Sequence, residues 1–150
     1  MRDQFTGERV VLENAIAFAL HNAYQRLRTA TYREFNQRGL ELTPEQWIVL
    51  VRLWERDALT PSELSESTLR DRPTMSRILD TMEKNGLVLR KADPRDGRGR
   101  EIHLTPLGRS LRRRLLPVAQ KLVDRLEAGI PEADLLVTRR TLQRIAEILS

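Results

Sequence analysis

No cysteine occurs among the 150 residues, which excludes disulfides, thiolate metal sites, cysteine catalysis and thiol redox sensing by this chain. Aromatic residues make up only 5%, too few for the stacking platforms that hold single-stranded nucleic acid. No apolar run approaches the roughly 20 residues of a membrane span, and Met1-Arg-Asp-Gln4 lacks the apolar stretch of a signal peptide. A cytoplasmic location without a membrane partner is therefore expected. Histidine is scarce as well: His21 and His103 are the two in the chain, on different predicted elements, so no metal site is expected. There is no phosphate-cradling glycine loop and no paired-carboxylate set, so neither an enzyme nor a cofactor is expected.

What is present is a local excess of positive charge. Thirteen Lys/Arg fall between Arg70 and Arg114 against six Asp/Glu, a balance of +7 within a chain of net +5, so the remainder sums to −2. The charge lies on a helix–helix–hairpin pattern, the electrostatic footprint of a module that rests on a phosphate backbone.

Three Thr-Pro pairs, Thr43-Pro44, Thr60-Pro61 and Thr105-Pro106, mark helix starts. Thr is a good N-cap, and Pro at the first helical position gives up an N–H that had no partner there. Thr43-Pro-Glu-Gln46 and Thr60-Pro-Ser-Glu63 also complete capping boxes. Helices are predicted over about 44–56, 61–68 and 73–85, the last capped by Asp71 and stopped by Asn85-Gly86. Two short strands near 88–91 and 101–104 enclose a loop, 92–100, whose Pro94, Gly97 and Gly99 predict a mobile tip and not packed structure.

A long helix over about 8–37 is predicted from Leu12, Ile16, Leu20, Ala23 and Leu27 at helical spacing. Two further helices follow Thr105, the first expected to kink at Pro117 and end at Gly129, the second covering about 132–149. Their apolar stripes either cover one another in a monomer or interlock with a second copy. A helix near 30 residues spans about 45 Å, too long for a 150-residue globule of about 15 Å radius of gyration, which favours the homodimer.

Within 73–85, Met75, Ile78, Leu79 and Met82 form an i, i+3, i+4, i+7 stripe that faces the core, leaving Thr74, Arg77, Asp80, Thr81 and Lys84 outside. Pro73, Thr74 and Arg77 occupy the end that enters the major groove in helix-turn-helix proteins. Arg can bind guanine O6 and N7 together, and the Thr methyl can meet a thymine methyl. The hairpin tip carries Arg95, Arg98 and Arg100, suited to the negative potential of a narrow minor groove. Asp93 beside them is read as a wing support that pairs with an arginine. A solvated polar face and a solvated basic loop are the plainer alternatives for each part taken singly.

The element order and two motifs resemble the MarR family of winged helix-turn-helix transcriptional regulators. Asp93-Pro-Arg95-Asp-Gly-Arg98 matches that family's Asp-x-Arg-x-x-Arg wing signature, and Arg72 to Leu87 resembles its recognition helix and following turn. The similarity runs over about 10–148. It implies a mainly α fold with a small β-hairpin wing: a winged helix-turn-helix region, 43–105, and a helical dimerisation region from 1–38 and 106–150. It also implies a homodimeric, double-stranded-DNA-binding regulator, usually a repressor, on a pseudo-palindromic operator. Carried over, Pro73, Thr74 and Arg77 meet major-groove bases with Arg72 and Ser76 beside them. Arg95 enters the minor groove, Arg98 supports the wing or a phosphate, and Ser62 and Ser65 approach backbone phosphates. A protein-interaction module or a non-specific architectural DNA binder is the alternative.

Many members of that family release DNA when a small aromatic acid or phenol binds. Here His21, Tyr24 and Arg28 share one face by their 3- and 4-residue spacing, with Trp47 and Trp54 at the two ends of the apolar face of the helix over 44–56. Cation, phenol and indole together form a candidate effector site for an aromatic carboxylate; satisfied structural groups are the plainer reading. Peroxide sensing through a thiol, used by some relatives, is closed to this chain.

Overall fold

The structure, a computed structural model, describes residues 15–150 and, before them, the backbone of two short antiparallel strands, β1 (Phe5–Thr6) and β2 (Arg9–Val10). Then come α1 (Ile16–Asn36), α2 (Pro44–Glu55), α3 (Pro61–Thr68), α4 (Arg72–Lys84), β3 (Val88–Ala92), β4 (Arg100–Leu104), α5 (Pro106–Glu127) and α6 (Glu132–Ile148). Six helices and a β3–β4 hairpin make the mainly α, winged architecture that the sequence pattern predicted.

The first helix differs from expectation. Arg9 and Val10 are extended where the apolar repeat predicted helix from residue 8, and Leu12, first in that repeat, lies outside the described residues. Periodicity alone marks no helix start, and Ala15 at the N-cap offers no side-chain bond. At 21 residues, α1 is about 32 Å long, so its length does not itself require a partner.

The capping boxes form as read. Thr43 Oγ1 accepts from Gln46 N–H and Thr60 Oγ1 from Glu63 N–H, with Gln46 and Glu63 accepting in return from the Thr backbones. Asp71 caps α4 by accepting from Thr74 N–H at 2.8 Å, and Gly86, at φ +69°, ends the turn beyond it. α5 continues through Pro117 as one element.

The chain divides into two compact units, Met1–Leu111 and Arg112–Ser150. In the first, Phe35, Leu50, Leu53, Leu64, Met75, Leu79, Met82 and Ile102 are buried completely or almost so. Three of the four predicted α4 core residues are among them; Ile78 is half-buried. Trp47 packs between Phe35 and Trp54, with ring centroids 5.3 and 5.6 Å apart, and Trp54 Nε1 donates to Gly108 O at 3.0 Å. In the second unit, no residue of α6 is buried, and Arg139 donates to Glu127. Among the described residues no helix is long and apolar enough to cross a membrane.

Asp57, unremarked in the sequence, ties the connection between α2 and α3 to the end of the wing. It accepts from Leu104 N–H at 2.9 Å and Ala58 N–H at 3.0 Å, and pairs with Arg109 at 2.6 Å. The adjoining Leu59 bridges to Ile102, adding a third short segment beside β4. Burial alone would raise the Asp57 pKa; the two N–H donors and the guanidinium outweigh it and hold the carboxyl below its ordinary value. Its stabilisation is thus fully present above about pH 4 and fades as pH falls through the depressed folded pKa. Asp57→Asn is expected to lower the melting midpoint at neutral pH and to flatten the acid limb of a midpoint-against-pH curve. An acid limb identical in variant and wild type would show that Asp57 contributes nothing to it.

Candidate nucleic-acid interface

Two helices and a hairpin form the basic surface. α3 ends at Leu69, which turns left-handed at φ 53° and is almost fully exposed. Arg70 N–H then returns to Ser65 O at 3.0 Å. Two residues past Leu69, Asp71 begins the cap of α4. The turn between α3 and α4 is thus set by local hydrogen bonds, and it presents the first turn of α4 outward.

On that turn, Pro73 is exposed, Thr74 half-buried, and Arg72, Ser76 and Arg77 exposed. Thr74 Oγ1 donates to Asp71 Oδ2 at 2.8 Å and accepts from Arg77 at 3.4 Å. The cap therefore extends into a chain, Asp71–Thr74–Arg77, that orients the arginine. The Thr74 N–H and hydroxyl hold Asp71 ionised below the ordinary carboxylate range. Asp80, which the helical period left outside, is not a free charge: Arg90 of β3 pairs with it at 2.6 Å and also with Glu83.

The wing tip, where Pro94, Gly97 and Gly99 predicted no packed structure, carries several hydrogen bonds of its own. Ladder pairing reaches Ala92 opposite Arg100, Asp93 N–H donates to Gly99 O, and Gly99 N–H to Asp96 O. Asp93 is buried and accepts from Arg95 N–H at 2.8 Å and Arg95 Nε at 3.3 Å. The backbone donor is the larger cause of its lowered pKa, ahead of the opposing effect of burial and the pull of the guanidinium. Arg95 is 66% exposed despite this hold. Arg98 is exposed, its N–H donating to Asp96.

Ser62 and Ser65 of α3 share a cleft of about 580 Å³ with Arg72, Ser76, Asp93 and Arg100. Ser62 is exposed, while Ser65 is buried and its Oγ has no hydrogen-bond partner among the described residues.

The fold is shared with known proteins. The sequence pattern of the MarR family matches residues 42–99. The organic hydroperoxide resistance transcriptional regulator of Bacillus subtilis is 32% identical over 111 residues, 74% of this chain and 74% of that protein. A probable transcriptional regulator from Pseudomonas aeruginosa, solved by crystallography, superposes with a TM-score of 0.80 at 33% identity, over 89% of this chain and 98% of that one. The chain belongs to the MarR family. The transcriptional repressor CouR, solved on a 23-mer DNA duplex, is 25% identical with a TM-score of 0.80, over 94% of this chain and 99% of that chain. MarR proteins are DNA-binding transcriptional regulators, not enzymes, and this is the function of the chain at that level.

The residues considered for a MarR effector lie at α1 and α2. Arg28 makes two bonds to Glu45, at 2.8 and 3.2 Å. That pairing raises the arginine pKa, and for Glu45 it helps outweigh the upward push of burial. Tyr24 OH accepts from Arg70 at 3.1 Å, His21 is exposed, and Trp47 sits in the aromatic row with Phe35 and Trp54. Tyr24 and Arg28 are thus both engaged, each with a charged residue distant in sequence. Sequence reading missed Glu45 and Arg70 as their partners, and Arg90 and Glu101 near the wing. No short-range motif marks such pairs.

Proposed function

We propose that this MarR protein is a cytoplasmic homodimeric repressor that reads a pseudo-palindromic operator. The observation carrying the reading is Arg77: exposed on the first half of α4, oriented through Thr74 and Asp71, and poised for a guanine edge in the major groove. Pro73, Thr74, Ser76 and Arg72 flank it. Arg95 takes the minor groove, buttressed by Asp93, and Arg98, Ser62 and Ser65 serve backbone phosphates. Homodimerisation is supported by the helices outside the winged region. Ile16, Tyr24, Leu27 and Tyr32 of α1 are 43–53% exposed, and α6 has no buried residue although it carries Leu136, Val137, Leu142 and Ile148. An amphipathic helix of that kind gains its stability from a partner surface.

Release by a small aromatic acid fits the contacts of α1. A carboxylate at His21, Tyr24, Arg28 and Trp47 would compete with Glu45 for Arg28. Because Tyr24 also holds Arg70, it would disturb the turn leading into α4. With no cysteine among the 150 residues, the effector response does not run through a thiol.

Selection from a randomised duplex pool, followed by salt titration of the winner, tests the reading. Enrichment of a palindrome with half-sites about 10 bp apart is expected. Salt-sensitive binding without enrichment would mean an architectural, non-specific binder, and the assignment of α4 to base readout would fail.

A further inference from the structure

The wing holds a second buried carboxylate for which neither the MarR wing signature nor the recognition helix accounts. Glu101 of β4 is 7% exposed, as is Asp93, and Arg95 reaches both. Arg95 Nε is 3.3 Å from Asp93 Oδ1 and Arg95 Nη2 is 3.5 Å from Glu101 Oε1. The two carboxylates come from opposite arms of the hairpin, Asp93 just before the tip and Glu101 just after it, one step inside the Ala92–Arg100 pair. The other Glu101 oxygen, Oε2, is 3.0 Å from His103 Nε2, which fixes the plane of the carboxylate. A buried carboxylate is costly unless it is paired, and Glu101 is paired on both of its oxygens.

We propose that Glu101 is a positioning residue for Arg95: held by His103, it takes Nη2 while Asp93 takes the neighbouring Nε, and together they aim the guanidinium out of the wing. This rests on the reading that Arg95 enters the minor groove. An arginine inserted into a narrow groove must surrender its rotamers, and immobilising one long side chain at an interface costs about 0.5–1.5 kcal/mol. Two carboxylates on opposite arms of the hairpin pre-set the side chain before DNA arrives. One alone leaves it free to swing about the Asp93 contact.

Positioning and simple electrostatics predict opposite signs. Glu101 adds negative charge close to DNA, so if it acted only by repulsion, Glu101→Gln would tighten binding. If it aims Arg95, the same change weakens binding although it removes a negative charge. The test uses the full chain and the selected duplex, with its A·T flanks intact or exchanged for G·C, since narrow A-tract grooves are where an inserted arginine gains most. Glu101→Gln is expected to weaken binding to the A·T-flanked duplex by about two- to ten-fold, the range set by freeing one long side chain, with a smaller loss on the G·C-flanked duplex.

Glu101→Asp keeps the charge but withdraws it by one methylene, and it is expected to behave like Glu101→Gln. It also serves if the amide variant does not fold. In an Arg95→Ala background, neither change is expected to alter affinity further. Tighter or unchanged binding by Glu101→Gln and Glu101→Asp, while Arg95→Ala alone weakens binding, would overturn the positioning role and leave the minor-groove reading standing. Equal losses with and without Arg95 would show that Glu101 acts through hairpin stability, and would also overturn it. If Arg95→Ala itself binds as wild type does, the minor-groove reading fails first and the proposal with it.

Discussion

Replacing Gly108 by alanine is expected to destabilise the protein more than the same change at any other glycine among the described residues. A Cβ at this position would stand 2.2 Å from Leu87 O, 3.2 Å from Leu87 C and 3.1 Å from Leu104 Cδ2. The nearest atom is a backbone carbonyl, and it is not free to yield. Leu87 O accepts from Thr105 N–H at 3.1 Å and from Thr105 Oγ1 at 3.2 Å, and Thr105 Oγ1 in turn accepts from Gly108 N–H at 3.0 Å. Relief therefore requires α5 to lift from the end of the hairpin, which also stretches the Trp54 bond to Gly108 O. Overpacking of this kind costs about 3 kcal/mol, or roughly a 6–12 °C fall in melting midpoint for a chain of this size. Gly97→Ala is the control, since nothing lies within 4 Å of its added methyl. Equal melting midpoints for the two variants would mean that α5 does not approach Leu87 so closely.

Arg77→Ala carries the largest expected effect on DNA. Loss of a bidentate guanine contact costs about 1–3 kcal/mol and relaxes specificity at one base pair in each half-site. Arg98→Ala, assigned to a phosphate or to wing support, should weaken all duplexes alike and reduce the salt slope by about 1. Titrating both variants against a set of single-base operator substitutions separates these behaviours. If Arg77→Ala preserves the ranking of the substituted operators, Arg77 does not read a base.

The parts of the fold that were legible are those whose physics is local. A Thr-Pro with Glu or Gln three residues on is a complete helix start within four positions, and both such boxes form. The α4 stripe is likewise contained in one helix, and three of its four residues are fully buried. Illegible were the features that depend on partners far along the chain. Asp57 binds Leu104 N–H, 47 residues away. Gly108 looks like an ordinary residue of a first helical turn, and only its approach to Leu87 O shows why a side chain is excluded. The start of α1 was misplaced because an apolar repeat sets a face and not an end. On the surface proposed to face DNA, residue types and spacing singled out Arg77 and Arg95, but not the chain through Thr74 that orients the one or the second carboxylate beside the other.

The Arg90 clamp has a consequence for operator choice. By pairing with Asp80 and Glu83, Arg90 of β3 ties the hairpin to the α4 helix and favours one spacing between them. If α4 lies in a major groove as proposed, the wing joined to it meets the neighbouring minor groove at a set distance. A duplex that offers both grooves at that separation would then be favoured. On that reading, sequences whose local twist or groove width departs from it would be penalised at base pairs that no side chain touches.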